Sequence, residues 1–393
     1  MNRAMGVPIA ALVLIAGCGR VVLDRDTGAG GTGGLGGAGG SGTSIDHTSR
    51  SVDILFMIDN TAGRNVQANL ERNFPTFVTT LQNSPGGLPS LHLAVITSDM
   101  GAGDGSIAGC NATGGDAGRF QFTARGSCTA TNLEAGATYI ADQNGVKNYT
   151  GQLADVFTCI ASVGNSGCGF EQPLASVVRA LGADGRPAPP ENQGFLRPDA
   201  FLFIVLLTDE DDCSVPAGSN LFDTTQGTTL ASPLGPVTNF RCNEFGHLCH
   251  GLKPPRRAPT GGVSDAVTLD GCESAEGTGM LTPVSTFVAQ IQALKPDPSM
   301  VLVAAIAGPA TPYAVHWMNP FTADPGGPWP SITHSCSAPD TSFADPAVRL
   351  TQWATAFGAN GQVLSVCSDN FAPALQLLAE RVTQRLPPPE NMP

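Results

Sequence analysis

The run Val52-Asp53-Ile54-Leu55-Phe56-Met57-Ile58-Asp59-Asn60-Thr61-Ala62-Gly63 decides the fold. Its first seven residues are almost all apolar, and it stops at an acid. A continuous apolar run of this length suits a parallel strand covered on both faces. Three more segments read the same way. Leu91 to Thr97 ends near Asp99, Phe201 to Leu207 ends at Thr208-Asp209, and Met300 to Ile306 ends at Gly308. Val363 to Val366 is a shorter fifth candidate.

Helical stripes lie between these strands. Val66, Leu70, Phe74, Phe77, Val78 and Leu81 recur near helical spacing, with Pro75 predicting a kink or a restart. Leu174, Val177, Val178 and Leu181 form a second stripe, and Val284, Phe287, Val288, Ile291 and Leu294 a third. Ala374, Leu375, Leu378 and Val382 form a last one. Alternating strands and helices predict an α/β fold: a doubly wound, mostly parallel sheet flanked by helices. Three long Gly- or Pro-rich segments, at about 100–168, 210–279 and 309–345, lack strong periodicity and read as insertions.

The N-terminus has a different character. Arg3 is followed by a short apolar run, Val7 to Gly17, and then Cys18. Such a run is shorter than the roughly 20 residues a membrane-spanning helix needs. It fits a signal peptide over residues 1–17 with a small-residue cleavage site. Leu14-Ile15-Ala16-Gly17-Cys18 resembles a bacterial lipobox, which implies cleavage before a lipidated Cys18 and an exported chain held at a membrane, in the outer membrane or at the cell surface. Gly28 to Ser44 is nearly all Gly, Ser, Thr and Ala, a flexible coil averaging about 20 Å end to end, so residues 18–50 read as a lipidated N-terminus and flexible tether. The main domain is expected over 51–386, with a Pro-rich tail at 387–393.

Eleven cysteines are present. Setting Cys18 aside leaves Cys110, Cys128, Cys159, Cys168, Cys213, Cys242, Cys249, Cys272, Cys336 and Cys367. An even set in an exported chain reads as a disulfide framework. Connectivity does not follow from sequence. Short loops close at least entropic cost, which favours Cys110–Cys128, Cys159–Cys168 and Cys242–Cys249. Cys242, His247, Cys249 and His250 could alternatively bind zinc, but the even count and export favour disulfides.

The net charge of −13 excludes a nucleic-acid partner, which requires a basic face. Lys253, Arg256 and Arg257 lie among prolines and read as a solvated loop. His92 alternates with apolar residues and reads as structural. There is no Gly-x-Ser-x-Gly elbow and no His-Glu-x-x-His helix.

The carboxylates at the strand ends carry the chemistry. In open α/β sheets, ligands bind beyond the carboxyl ends of the strands where strand order reverses. If the first and third long strands are neighbours there, Asp59 and Asp209 face one another. Paired carboxylates need a proton or a cation between them, and oxygen-only ligands suit Mg2+ or Ca2+. Asp99 and Asp104 are lesser candidates for the same crevice. Asp59 and Asp209 could instead cap the following helices, and Glu210-Asp211-Asp212 reads as a solvated charge run.

Asp53 to Gly63 resembles the opening of a von Willebrand factor type A (VWA) domain, in which an apolar strand enters a D-x-S-x-S metal-ion-dependent adhesion motif. Leu206-Leu207-Thr208-Asp209 resembles the strand that supplies that family's distal aspartate. The resemblance covers about 51–385. Gly167 to Gln172 and Leu207 to Ser214 also resemble VWA-like lipoproteins of myxobacteria and related groups. It implies Asp59, Thr61 and Asp209 as metal ligands. The family's threonine falls near Glu171, where a carboxylate would replace a hydroxyl. Gly63 stands where the second serine is expected, so that ligand is lost.

The implied function is an adhesion module whose cation accepts a carboxylate from a protein or peptide partner. Two alternatives differ in class. A structural cell-envelope protein would use the insertions and no metal. A haloacid-dehalogenase-like phosphatase needs D-x-D, and Thr61 stands at its second Asp, so no catalytic residue is assigned.

Overall fold

The computed structural model describes residues 49–389, apart from 62, 104, 105, 108, 111–113 and 341. The expected signal peptide, Cys18, the Gly-rich tether up to 48 and Asp104 lie outside the described residues. His47–Pro393 is one compact unit by itself. In its first half, the elements are β1 (Ser51–Ile58), α1 (Arg64–Gln82), β2 (Ser90–Thr97), β3 (Ile140–Gln143), β4 (Val146–Lys147), α2 (Leu153–Ala161), α3 (Pro173–Ala180) and β5 (Phe201–Leu207). Next come α4 (Phe240–Gly246), β6 (His247–Cys249), β7 (Ala266–Leu269), β8 (Cys272–Ser274), α5 (Val284–Gln292) and β9 (Val301–Ala307). The chain closes with β10 (Tyr313–Met318), β11 (Trp329–Thr333), β12 (Cys336–Ser337), β13 (Phe343–Ala344), α6 (Val348–Thr355), β14 (Gly361–Ser365) and α7 (Ala372–Arg385).

A seven-stranded sheet runs β14-β9-β5-β1-β2-β3-β4. Its first five strands are parallel, and β3 and β4 form an antiparallel edge. The four apolar runs are buried at every residue, as strands covered on both faces must be. Along β1 the side chains alternate between two cores. Ile54, Phe56 and Ile58 pack with α1, α2 and α7, while Leu55 and Met57 pack with α3, α5 and α6. Helices on both faces make this an α/β fold.

Pro75 corrects one expectation, since α1 runs through it without restarting. Phe74 and Phe77 on either side are buried against Phe56, and Phe74 stacks on Phe157 of α2. Burying an aromatic ring contributes roughly 1.5–3 kcal/mol, and two such rings offset a proline penalty of about 3 kcal/mol.

The insertions are also more ordered than their composition predicts. Residues 100–168 contain α2, whose Val156 and Phe157 sit wholly inside the main core. Residues 210–279 and 309–345 contribute a three-stranded sheet, β11-β10-β7, and two two-stranded sheets, β12-β13 and β6-β8.

All ten cysteines are bridged: Cys110–Cys168, Cys128–Cys159, Cys213–Cys242, Cys249–Cys272 and Cys336–Cys367. None of the three short-loop pairings occurs. Loop entropy is outweighed by what the local structure brings together. Cys249 and Cys272, for example, are direct partners across the β6–β8 ladder. Five disulfides are the mark of a chain folded in an oxidising, extracytoplasmic compartment. No described helix is long and apolar enough to cross a membrane.

Candidate functional site

β1 and β5 are neighbours, and strand order reverses between them. A crevice at such a point lies beyond the strands' carboxyl ends. Asp59 and Asp209 leave those ends. The Asp59 amide donates to Leu207 O at 2.9 Å, which fixes the two exits side by side. Glu171 arrives on the loop before α3, and its carbonyl accepts from the Cys213 amide at 2.7 Å.

Asp59 is fully buried. Its Oδ1 accepts from the Thr61 amide at 2.8 Å, and its Oδ2 accepts from Thr208 Oγ1 at 2.7 Å. Gln67 Nε2 donates to the Asp59 carbonyl at 3.0 Å. The Thr61 hydroxyl lies 3.1 Å from Asp59 Oδ1 and donates to Glu171 Oε1, so it links two of the carboxyl groups. Asp209 Oδ2 accepts from the Gly63 amide at 3.1 Å. Glu210 accepts from Asn239 Nδ2 at 2.9 and 2.8 Å. The third insertion reaches the same place, for the Asp345 amide donates to Asp209 O at 2.8 Å.

Neither helix-cap expectation describes Asp59. Its bond to the Thr61 amide is an Asx turn, and the N-cap of α1 is Gly63, which makes no side-chain cap bond. Asp209 does face the start of α1, through Gly63.

The electrostatics set this cluster apart. Other buried acids have basic partners: Asp53 has Arg197 at 2.7 Å and Asp212 has Arg349 at 2.9 Å, while Asp211 has the His247 ring at 2.9 Å. Among the described side chains, which do not include that of Arg64, no Lys, Arg or His comes within 4.0 Å of the carboxylates of Glu171, Asp209 or Glu210. Burial, then the charges of Asp59 and Glu210, hold the Glu171 carboxyl well above its usual range. Burial and the Asp59 charge push Asp209 up to about 7. Burial, then Asp59, Asp345 and Asp209, do the same to Glu210. Among the described residues, three buried oxygens here, Glu171 Oε2, Ser98 Oγ and Asn60 Oδ1, have no hydrogen-bond partner.

A pH dependence follows. Asp209 titrates near 7 when folded and near 3.8 when unfolded, so the folded chain holds the extra proton between those values. Its contribution to stability is present at about pH 4 and lost as the pH rises through about 7. The cation-free protein should melt at a higher temperature near pH 5.5 than near pH 8, and Asp209→Asn should reduce that difference. An identical pH profile in the variant would contradict this electrostatic picture.

The donor chemistry suits a hard cation, because every group is an oxygen. Asp59, Thr61, Glu171 and Asp209 are the residues that could hold one. Among the described residues, however, no three His, Cys, Asp or Glu side chains are already placed around a common metal position. Gly63 offers no hydroxyl. A Cβ there would sit 3.9 Å from Asp209 Oδ2, an ordinary contact, so the position has room for serine.

Other expectations need correction. The acidic run is not solvated. Asp211 accepts from the backbone amides of Arg349 and Leu350 at 2.8 and 3.0 Å, at the start of α6, and Asp212 is buried against Arg349. Asp99 Oδ1 accepts from the Gly101 amide at 2.8 Å and closes a turn in the first insertion. Zinc is excluded at 242–250 because Cys242 and Cys249 are in disulfides, while His247 bonds Asp211 and Tyr313. In the basic cluster, Arg256 is tied to Glu244 at 2.8 Å and to the carbonyls of Ser232 and Pro233. His92 is structural, as expected: it is buried, with Nδ1 2.7 Å from Phe195 O and Nε2 2.7 Å from Gln143 Nε2.

Sequence reasoning missed Thr208, Glu210 and Ser98, whose hydroxyl lies beside the Glu171 carboxyl. The available signal was positional: Ser98 and Thr208 each directly follow a buried strand that ends at the crevice. Set beside known families and characterised proteins, the chain matches no family model and no curated sequence.

Proposed function

We propose that the folded part is the binding module of an exported lipoprotein, which takes Mg2+ or Ca2+ at the strand ends and engages a protein or peptide partner there. One observation carries this reading. Asp59, Glu171 and Asp209 leave three different connections and meet at one switch point, and among the described side chains the latter two have no cation beside them. The resemblance to VWA domains points the same way, and so does the unpartnered Glu171 Oε2. A bound cation would supply an electrophilic position for a partner's carboxylate. Thr208 and Thr61 would hold the Asp59 carboxylate in place, while Gln67 fixes its backbone. Nothing in this role is catalytic. The lipobox-like run ending in Cys18 supports membrane anchoring, in the outer membrane or at the cell surface, and the five disulfides support export.

Adding millimolar Ca2+ or Mg2+ to cation-free protein should raise its melting temperature, because a ligand that binds only the folded state stabilises it by about 2.7 kcal/mol at a hundred times its Kd. Gly63→Ser should enlarge the rise, since it adds a hydroxyl beside Asp209. No rise with either cation would remove the metal-dependent mechanism.

The second reading is a metal-independent structural protein of the cell envelope. Gly63 favours it, as does the lack, among the described residues, of a preformed three-carboxylate arrangement. Partner binding that survives Asp59→Ala with Asp209→Ala would establish it over the first.

A further inference from the structure

One wall of the carboxylate crevice is the β12–β13 hairpin of the third insertion. The Asp345 amide, just after β13, donates to Asp209 O at 2.8 Å. Asn65 Nδ2, at the start of α1, donates to Asp340 O in the hairpin turn at 3.1 Å. The Cys336–Cys367 disulfide ties the hairpin to the loop after β14. The wall is thus fixed to the exits of β5 and β14 and to the first turn of α1.

Phe343 is 49 % exposed on this wall, and among the described residues it belongs to none of the four buried cores. Its ring stacks on His334 with centroids 3.8 Å apart, and His334 Nδ1 lies 2.7 Å from Asp345 Oδ1. One imidazole therefore touches both Phe343 and Asp345, so those two side chains share a side of the chain, as residues i and i+2 of an extended segment do. Asp345 in turn lies close enough to Asp209 and Glu210 for its charge to act on both. The ring stands about 7 Å further along the wall than Asp345, the span of two extended residues.

A single exposed apolar residue means little. This one is held on one face by an imidazole that a carboxylate orients, on a disulfide-bonded hairpin, so fixing it on binding costs little entropy. The neighbouring charges are already engaged. Asp345 is paired with His334, and Asp340 Oδ1 accepts from the Ser342 amide at 3.0 Å and from its hydroxyl. What the wall offers a partner is the ring. In an extended peptide, side chains two apart also lie on one face about 7 Å from each other.

We infer that the Phe343–His334 stack selects an aromatic side chain of the peptide partner, two or three residues from the acid that occupies the crevice. This inference rests on the cation-dependent reading proposed above.

The test passes two capped heptapeptide libraries over the whole immobilised chain, with millimolar Ca2+ and Mg2+ and again with chelator, and identifies retained peptides by mass spectrometry. One library fixes Asp at its centre and the other Asn, and the remaining positions are randomised without acids. The Asp library should be retained only with the cations, with Phe, Tyr and Trp enriched about fivefold two or three residues from the Asp, a preference of about 1 kcal/mol. Phe343→Ser should lose this enrichment and keep both the preference for Asp and the cation-dependent rise in melting temperature; Phe343→Tyr should keep all three. Retention of the Asp library without aromatic enrichment, enrichment that persists in a natively melting Phe343→Ser, or a cation-dependent rise in melting temperature with no retention would overturn this inference and leave the cation site standing. No rise with either cation would remove the reading on which it rests, and the inference with it.

Discussion

Arg349→Met is expected to destabilise the protein by about 3–5 kcal/mol, because it strands a buried carboxylate. Arg349 is fully buried. Its Nε and Nη2 donate to Asp212 Oδ2 at 3.1 and 2.9 Å, Nη1 donates to Ser274 Oγ at 2.7 Å, and Nη2 also donates to Thr282 O at 2.7 Å. The other oxygen of Asp212 accepts from the Leu174 amide at 3.1 Å, at the start of α3. One ion pair therefore joins α6, β8, the approach to α5 and the loop that carries Glu171. Methionine keeps most of the volume, so the loss reflects charge and hydrogen bonding. Adding Asp212→Asn should recover a large part of it, since an amide costs far less to bury unpaired than a carboxylate. Urea unfolding with the disulfides intact measures both. A double variant no more stable than Arg349→Met would show that packing, not charge, sets the loss.

Asp53→Ala should cost a similar amount, about 3–5 kcal/mol, by leaving the buried Lys295 and the partly buried Arg197 uncompensated. Asp53 accepts from the Arg197 backbone amide and from Arg197 Nε, each at 2.7 Å, and lies 3.7 Å from Lys295 Nζ. Burial pushes the Asp53 carboxyl up, and the Arg197 charge opposes the shift. Burial also lowers the Lys295 ammonium, and Asp53 is the largest influence holding it up. In the variant that ammonium falls further, so the unfolded chain binds more protons than the folded one. Stability then rises with pH, and the deficit should shrink as the pH rises from below the lowered ammonium value toward the ordinary 10.5. Asp53 lies six residues before Asp59 along β1, about 20 Å away. Cation binding by the folded variant should therefore be unchanged, which separates the stability of the sheet from the chemistry at its other end.

The strands were legible because parallel strands buried on both faces show no polar alternation, and the four apolar runs of the sequence are these strands to within a residue. Asp59 and Asp209 were legible for the same reason, since each interrupts or closes such a run. The acidic run at 210–212 was not. Its three side chains go to Asn239, to His247 and the start of α6, and to Arg349, and these partners are 29 to 138 residues distant. Nothing local distinguishes them from solvated acids. The helix α6 escaped notice because Arg349 breaks an apolar face made by Val348, Leu350, Trp353 and Ala354. Export and full use of the ten cysteines could be read from an even count, but the pairing could not, because it depends on contacts such as the β6–β8 ladder.

The most direct test of the proposed function is calorimetric titration of Ca2+ and Mg2+ into metal-free protein comprising residues 45–393, beside the same protein carrying Asp59→Ala and Asp209→Ala. Saturable binding of one cation per chain by the wild type, and none by the double variant, is expected. Absence of binding in the wild type, or equal binding in both proteins, would contradict a cation site at the junction of β1 and β5.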